Sequence, residues 1–346
     1  MRPIQKIVIG CCFAIVLCAG SLAEAQTGAQ CKTFVAYQSF QPASPGAYAC
    51  SSPNENGSVI DCTLKTNMCA PPAGAIETQC AACMAAHAGK PIDLANGDTY
   101  IIQTDLSVPG LGGGLALTRT WNSVWPATQS AFSTTGIFGV NWRSTYEERI
   151  FIGSDNYIKY SRNDGSFWSF GYVSASNGIS LYGVAAPANA SVTLAASSTQ
   201  WTLTFKNAEQ RVFDMTSGSL LSIIDRNGNT TQLAYDGANR LVSVTDPASR
   251  HLYFNYANPS NMYLVTSVTS DFGISTSYSY DSQGRLTQVT RPDATTWSFQ
   301  YNAQSLITAV LDSEGKVLES HTYDSLGRGL TSSRAGGVEA VTVTYP

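Results

Sequence analysis

A chain of 346 residues with a formal net charge of −4 and only 13% charged residues has room for one large or two medium domains. It carries no Lys/Arg cluster or basic stripe, which argues against a nucleic-acid surface. So low a charge density is sparse for a cytosolic protein and common among secreted β-proteins.

Residues 1–25 read as an export signal. Arg2 and Lys6 supply the positive start, Ile7 to Cys18 an apolar run broken only by Gly10, and Ala23-Glu24-Ala25 a small-x-small cleavage site. Leu17 stands where a lipoprotein signal wants a small residue, which counts against lipidation at Cys18. The apolar run is shorter than the ~20 residues that cross a bilayer, so no membrane span is expected after cleavage. Six cysteines would then remain, Cys31, Cys50, Cys62, Cys69, Cys80 and Cys83, all before residue 90. An even set in an exported chain reads as a disulfide framework, with a pairing that sequence does not choose. Cys80-Ala-Ala-Cys83 has the spacing of a zinc or redox pair. No second such pair accompanies it, and His87 stands alone beside it. Residues 26–88 are therefore expected to be a disulfide-bridged leader.

From residue 89 to 210 short runs alternate. Tyr100, Ile102, Thr104 and Leu106 would share one face of a period-two strand, as would Leu115, Leu117 and Trp121. Asn163-Asp164-Gly165, between "YIKYS" and "SFWSF", predicts a hairpin turn. No helical period persists, so this segment is expected to be a small β domain.

From 211 to 346 an aromatic anchor recurs: Phe213, Tyr235, Tyr256, Tyr280, Tyr301, Tyr323 and Tyr345, at spacings of 22, 21, 24, 21, 22 and 22. Fixed self-similarity of this period marks a repeat architecture. Residues running into each anchor alternate, as in Leu252/Phe254/Tyr256 and Trp297/Phe299/Tyr301, so one face seeks a core. Asp236, Asp281 or Asp324 follows the anchor, and three residues later stands Asn239, Gly284 or Gly327, types that accept positive φ. That is the chemistry of a type I turn closed by a left-handed residue. The next strand is expected to open at Leu241, Leu286 or Leu306, with Val244, Val289 or Ala309 three residues on. Three breaks strict alternation, and a bulge near the turn would restore it. A second turn follows in each unit, such as "DRNGN" at 225 or "DSEGK" at 312.

The units "YDGANRLVSVTD", "YDSQGRLTQVTRPD" and "YDSLGRGLTSS" resemble the YD repeats of Rhs-type proteins, a group spanning Rhs polymorphic toxins, teneurin ectodomains and shell components of insecticidal toxin complexes. Upstream, "GKPIDLANGDTYIIQTDLSVPGLGGGLALTRTWNS" and "GIFGVNWRSTYEERI" look like the small domain that precedes the repeats in bacterial members. The resemblance implies an all-β fold: repeated β-hairpins forming a curved, open antiparallel sheet or partial shell, behind a small β domain and a Cys-rich leader. In the family such shells sequester a C-terminal toxin or present a surface. This sequence has six or seven units and stops on the anchor Tyr345. Asp246-Pro247-Ala248-Ser249 only echoes the family's self-cleaving Asp-Pro-x-Gly segment, and no toxin domain follows.

Chemistry-bearing motifs are sparse. The histidines are His87, His251 and His321; His321 takes a sheet-face slot two before its anchor, and His251 lies off that face. Serine-hydrolase elbows, His-Glu-x-x-His and phosphate loops are missing. The aspartates Asp225, Asp236, Asp246, Asp281, Asp312 and Asp324 could suggest calcium, yet each already has a turn role. Trp297, Tyr278, Phe254 and Tyr253 could stack sugars, or could pack against neighbouring strands. The expectation is an exported, non-enzymatic scaffold with no catalytic residue, metal or cofactor. Its partner would be a further Rhs-type chain, a toxin or immunity protein, or surface glycans. The alternatives are an adhesin-like glycan- or protein-binding module and an enzyme assembled from scattered acids in a cleft lined by two carboxylates.

Overall fold

The computed structural model describes residues 51–53, 59–61, 87–88, 91–94, 96–125, 135–153, 156–186 and 191–345. The export signal, the six leader cysteines and most of the leader lie outside them. The described chain is all-β. Its helical turns are two three-residue 3-10 turns, Leu111–Gly113 and Ala335–Gly337.

One antiparallel sheet of 19 strands runs from Arg149–Ile152 to Val341–Thr342, every strand beside its chain neighbour. It passes residue 210 without interruption, since Gln210–Asp214 pairs with both Gln200–Phe205 and Leu220–Ile224. So wide a twisted sheet must curl, and this one returns to its own start. The Ile150 amide donates to the Gly218 carbonyl at 3.0 Å, Arg149 bridges Ser219, and the Arg149 guanidinium reaches the Ser217 carbonyl at 2.9 Å. Gly218 makes this approach possible: its φ is +67°, and a Cβ there would sit 1.9 Å from the Ile150 carbonyl oxygen.

Each repeat is held by a small set of bonds. The Asp236 amide donates to the Arg240 carbonyl at 3.0 Å and the Asn239 amide to the Asp236 carbonyl at 2.9 Å, with Asn239 at φ 57°. The same pairings recur around Asp281 and Asp324. The bulge expected from the three-residue spacing is present: Ala234 opposes Ser243 while Tyr235 opposes Leu241, and the pattern repeats at Tyr280 opposite Leu286. One unit opens a residue later than the sequence suggested. Asn302 takes the aspartate's place, its Oδ1 accepting from the Gln304 and Leu306 amides. The strand therefore begins at Ile307, which opposes Tyr301, so Ile307 and Val310 hold the core slots assigned to Leu306 and Ala309.

The anchor hydroxyls link successive units. Tyr235 donates to the Leu220 carbonyl at 2.8 Å, Tyr256 to Leu241 at 2.9 Å, Tyr280 to Val265 at 2.7 Å and Tyr301 to Leu286 at 2.7 Å. Tyr323 and Tyr345 do the same to Ile307 and Gly329 at 2.6 and 2.7 Å. A second link comes from the turn arginines. Arg240, Arg285 and Arg328 lie over the rings of the next anchors, Tyr256, Tyr301 and Tyr345, at 5.0, 5.0 and 4.2 Å. Each also pairs with the aspartate of its own turn.

A separate three-stranded sheet, Tyr100–Val108, Leu115–Asn122 and Trp142–Ser144, lies on the apolar face of the repeats. Its first strand departs from the sequence reading. A register shift between Thr104 and Leu106 turns Leu106 into the core while Ile102, 46% exposed, faces out. The buried set is Tyr100, Ile101, Gln103, Asp105 and Leu106. Two polar side chains hold inward positions because a buried arginine on the next strand needs them.

Candidate functional site

That arginine, Arg119, shares a face with Leu115, Leu117 and Trp121, all fully buried. Its Nε and Nη2 donate to the two Asp105 carboxylate oxygens at 2.6 and 2.8 Å, and Nη2 also reaches Gln103 Oε1 at 3.1 Å. Neither ion-pair side chain is exposed to solvent. The Tyr278 hydroxyl, from the repeat sheet, donates to Asp105 Oδ2 at 2.8 Å. Burial works against the Arg119 charge, but Asp105 outweighs it and raises the guanidinium's pKa. Aromatic rings surround the pair across the two sheets. Phe138 meets Tyr278 with centroids 4.7 Å apart, Trp142 meets Phe299 at 5.3 Å, Tyr146 meets Phe254 at 6.3 Å and Trp121 meets Tyr323 at 6.4 Å. Arg119 lies 4.6 Å from the Trp142 ring centroid. Backbone bonds pin the same contact: the Val265 amide to the Ile137 carbonyl and the Gly329 amide to the Gly97 carbonyl, each 2.8 Å.

This seating removes the aromatic row suggested for sugars. Phe254 and Tyr278 are 3% and 4% exposed beneath the small sheet. Trp297 lies under Arg291 at 4.8 Å, and Tyr253 stacks on His251 with centroids 5.6 Å apart. His251 Nδ1 is 2.9 Å from Asp271 Oδ2, whereas His321 is buried in the sheet with neither ring nitrogen hydrogen-bonded. The turn aspartates point into their own loops. In each, Oδ1 accepts the amides two and four residues on, as Asp225 does from Asn227 and Asn229, and Asp312 from Glu314 and Lys316. For Asp236 the Arg240 side chain, then the Arg240 amide, hold the carboxyl below the usual range.

A cavity of about 500 Å³ opens where the loop after Gly136 meets the repeats, with Glu147, Glu148, Tyr235, Asn239, Asn261 and Tyr263 among its walls. Two carboxylates in one cleft is the arrangement an acid-base hydrolase would need. Glu148 is committed elsewhere: Tyr160 Oη donates to it at 2.8 Å and Arg211 Nε at 3.0 Å. Glu147 accepts the Ile137 amide on Oε1 at 2.7 Å. Its Oε2 is buried with no well-directed hydrogen bond. Burial pushes the Glu147 carboxyl's pKa up, more than Arg143 and the Ser144 amide and hydroxyl pull it down. Sequence reasoning passed over Glu147, Asn261 and Tyr263. The available signal was the 24-residue spacing from Tyr256 to Tyr280, since the added residues form the loop that carries Asn261 and Tyr263 to the cavity.

Two family models match the chain, a domain of unknown function (DUF6531) over residues 89–170 and the Teneurin YD-shell over residues 200–336. The chain belongs to the Rhs/YD-repeat family. Among curated proteins, this Rhs/YD-repeat chain is similar to the tRNA nuclease WapA of Bacillus subtilis strain 168, at 28% identity over 265 residues. It is also similar to the tRNA(Glu)-specific nuclease WapA of Bacillus subtilis subsp. natto, at 27% identity. Each alignment covers 70% of this chain and 11% of the relative, so the chain spans about a tenth of their length. Among solved structures, the TcdB2-TccC3-Cdc42 crystal structure aligns at 12% identity and a TM-score of 0.28, covering 68% of this chain and 14% of that one. The Photorhabdus luminescens Tc holotoxin pore aligns at 12% identity and a TM-score of 0.27, covering 71% and 14%.

Proposed function

We propose that this Rhs/YD-repeat chain is an exported, non-enzymatic scaffold, a segment of β-shell whose small sheet acts as an inner plug. The observation that carries this reading is the seating of Trp121, Phe138, Trp142 and Tyr146 on the repeat face, locked by the Arg119–Asp105–Tyr278 cluster. An apolar sheet face left bare would invite aggregation, and the plug covers it with residues of the same chain. The turn aspartates are engaged in their own loops and Glu148 in a buried pair, which leaves Glu147 without a second free carboxylate in the cleft. We assign residues 1–25 to the export signal, 26–88 to a disulfide-bridged leader, 89–210 to the domain preceding the repeats and 211–346 to the repeats. Among the described residues, the strand Val341–Thr342 pairs on one side only, with Gly329–Arg334. Its other side suits strand addition by a further Rhs-type chain or a toxin or immunity partner.

Incubation of the purified chain with total tRNA tests the non-enzymatic assignment against the nuclease names of its relatives. Intact tRNA is the expected result, and cleavage lost on heat denaturation overturns the assignment. N-terminal sequencing of exported protein should begin at Gln26. Light scattering at rising concentration should show association through the open strand, and a strictly monomeric protein removes that proposal.

A further inference from the structure

The regular chemistry of the repeat gives way most fully at one place. After Tyr256 the turn aspartate gives way to a longer loop, in which Asn258 Oδ1 accepts the Ser260 and Asn261 amides. Arg240 donates to the Met262 carbonyl of that loop at 3.0 Å, as Arg285 does to the Asn302 carbonyl at 3.3 Å. The turn before it carries Asn239 at φ 57°, where the later turns carry Gly284 and Gly327. Asn239 Nδ2 bonds Ser219 Oγ at 3.2 Å. Both departures line the same cavity, together with Glu147. A repeat that needed only to stack would have no use for either.

We propose that this cavity is a binding site for a small neutral polyhydroxylated ligand, a mono- or disaccharide. Its volume of about 500 Å³ lies within the ~300–1,000 Å³ usual for small-molecule sites. The walls combine aromatic rings, Tyr146, Tyr235 and Tyr263, with the amides of Asn239 and Asn261. Rings take the apolar face of a sugar while amides and carboxyls take its hydroxyls. Tyr263 is 53% exposed at the rim, open to a ligand and unnecessary to the core. Glu147 stands on the same wall, its Oε1 held by the Ile137 amide at 2.7 Å. Charge narrows the ligand class. Arg143 and Arg149 on the same wall disfavour a cationic ligand, and Glu147 and Glu148 beside them disfavour an anionic one. A neutral hydroxyl donor satisfies both.

The site shares Tyr146 with the plug but does not rest on the scaffold reading. Its test is saturation-transfer NMR and calorimetry on the intact mature protein with cellobiose, maltose and N,N′-diacetylchitobiose. Lysine methyl ester and acetate serve as charged probes. Saturable binding of at least one sugar is expected, weakened about tenfold or more by Tyr263→Ala, a loss of about 1.4 kcal/mol, and abolished by Glu147→Ala. Tyr253→Ala, an exposed ring on another part of the sheet, should bind as the parent does. Should Glu147→Ala fail to fold by circular dichroism, Tyr263→Ala decides alone. No binding of any sugar, equal loss in Tyr253→Ala, or preference for either charged probe overturns the proposal.

Discussion

Replacing one member of the Arg119–Asp105 pair should cost far more than replacing both. Both side chains are wholly buried, and the carboxylate already receives three hydrogen bonds, two from Arg119 and one from Tyr278. Asp105→Leu leaves the Arg119 cation with Gln103 and three aromatic faces, Phe138, Trp142 and Tyr278, at 5.6, 4.6 and 5.5 Å. Arg119→Met leaves a buried carboxylate with only the Tyr278 hydroxyl. Stranding one charge of a buried pair costs about 3–5 kcal/mol, whereas apolar replacement of both is about neutral. The Asp105→Leu/Arg119→Met double variant should therefore recover most of either single loss, giving a coupling of about 3 kcal/mol or more. The assay is urea unfolding followed by tryptophan fluorescence, because Trp121 and Trp142 sit at this contact. Single losses under about 1 kcal/mol, the value of an exposed pair, would refute the buried lock. So would losses that simply add in the double variant.

Tyr280→Phe removes the hydroxyl that bonds the Val265 carbonyl at 2.7 Å and should cost about 1–3 kcal/mol in the same unfolding assay. An unchanged midpoint would reduce the anchor to a packing residue. Gly218→Ala forces a Cβ to 1.9 Å from the Ile150 carbonyl oxygen at a φ of +67°. The backbone alone costs about 1–2 kcal/mol, so hydrogen exchange should speed at Ile150 while Tyr278, whose amide bonds the Thr266 carbonyl, stays protected. Stability should also depend on pH from both sides. Burial holds the Asp98 carboxyl up at about 8, against the Val124 amide and Ser123 hydroxyl that pull it down. Its neutral form is the folded one, so its contribution is full below about pH 4 and declines to about pH 8, by up to about 1.4 kcal/mol per unit. The turn carboxyls of Asp236, Asp281 and Asp324 are held low, so their contribution is present above about pH 4 and lost in stronger acid. Melting temperature should peak on the acid side of neutrality, and Asp98→Asn should flatten its alkaline fall. A melting temperature that rises steadily from about pH 4 to 8 would contradict this.

Much of the architecture was legible in the chain because it is local. A 22-residue period, an aspartate after each anchor and a left-handed residue three positions on specify a hairpin within a few bonds of themselves. The three-residue step from Leu241 to Val244 specified the bulge. Where the local cue weakened, the reading slipped: Asn302 capped its turn without an aspartate, and the strand began at Ile307. The Tyr100–Val108 strand slipped for a different reason. Its alternation predicted one face, and Arg119, on another strand, drew Gln103 and Asp105 inward instead.

The sequence by itself determined the repeated hairpin, the bulge and the turn role of the acids, since each is settled among neighbours along the chain. Only the tertiary structure decided that the sheet rolls back on Gly218, that residues 100–144 cover its apolar face, and that Glu147, Asn239 and Tyr263 meet around one cavity. Those contacts join residues some 70 to 170 positions apart, such as Ile150 with Gly218 and Asp105 with Tyr278. No periodicity encodes them. They follow from how far a twisted sheet curls and from which buried charges must find each other once it has.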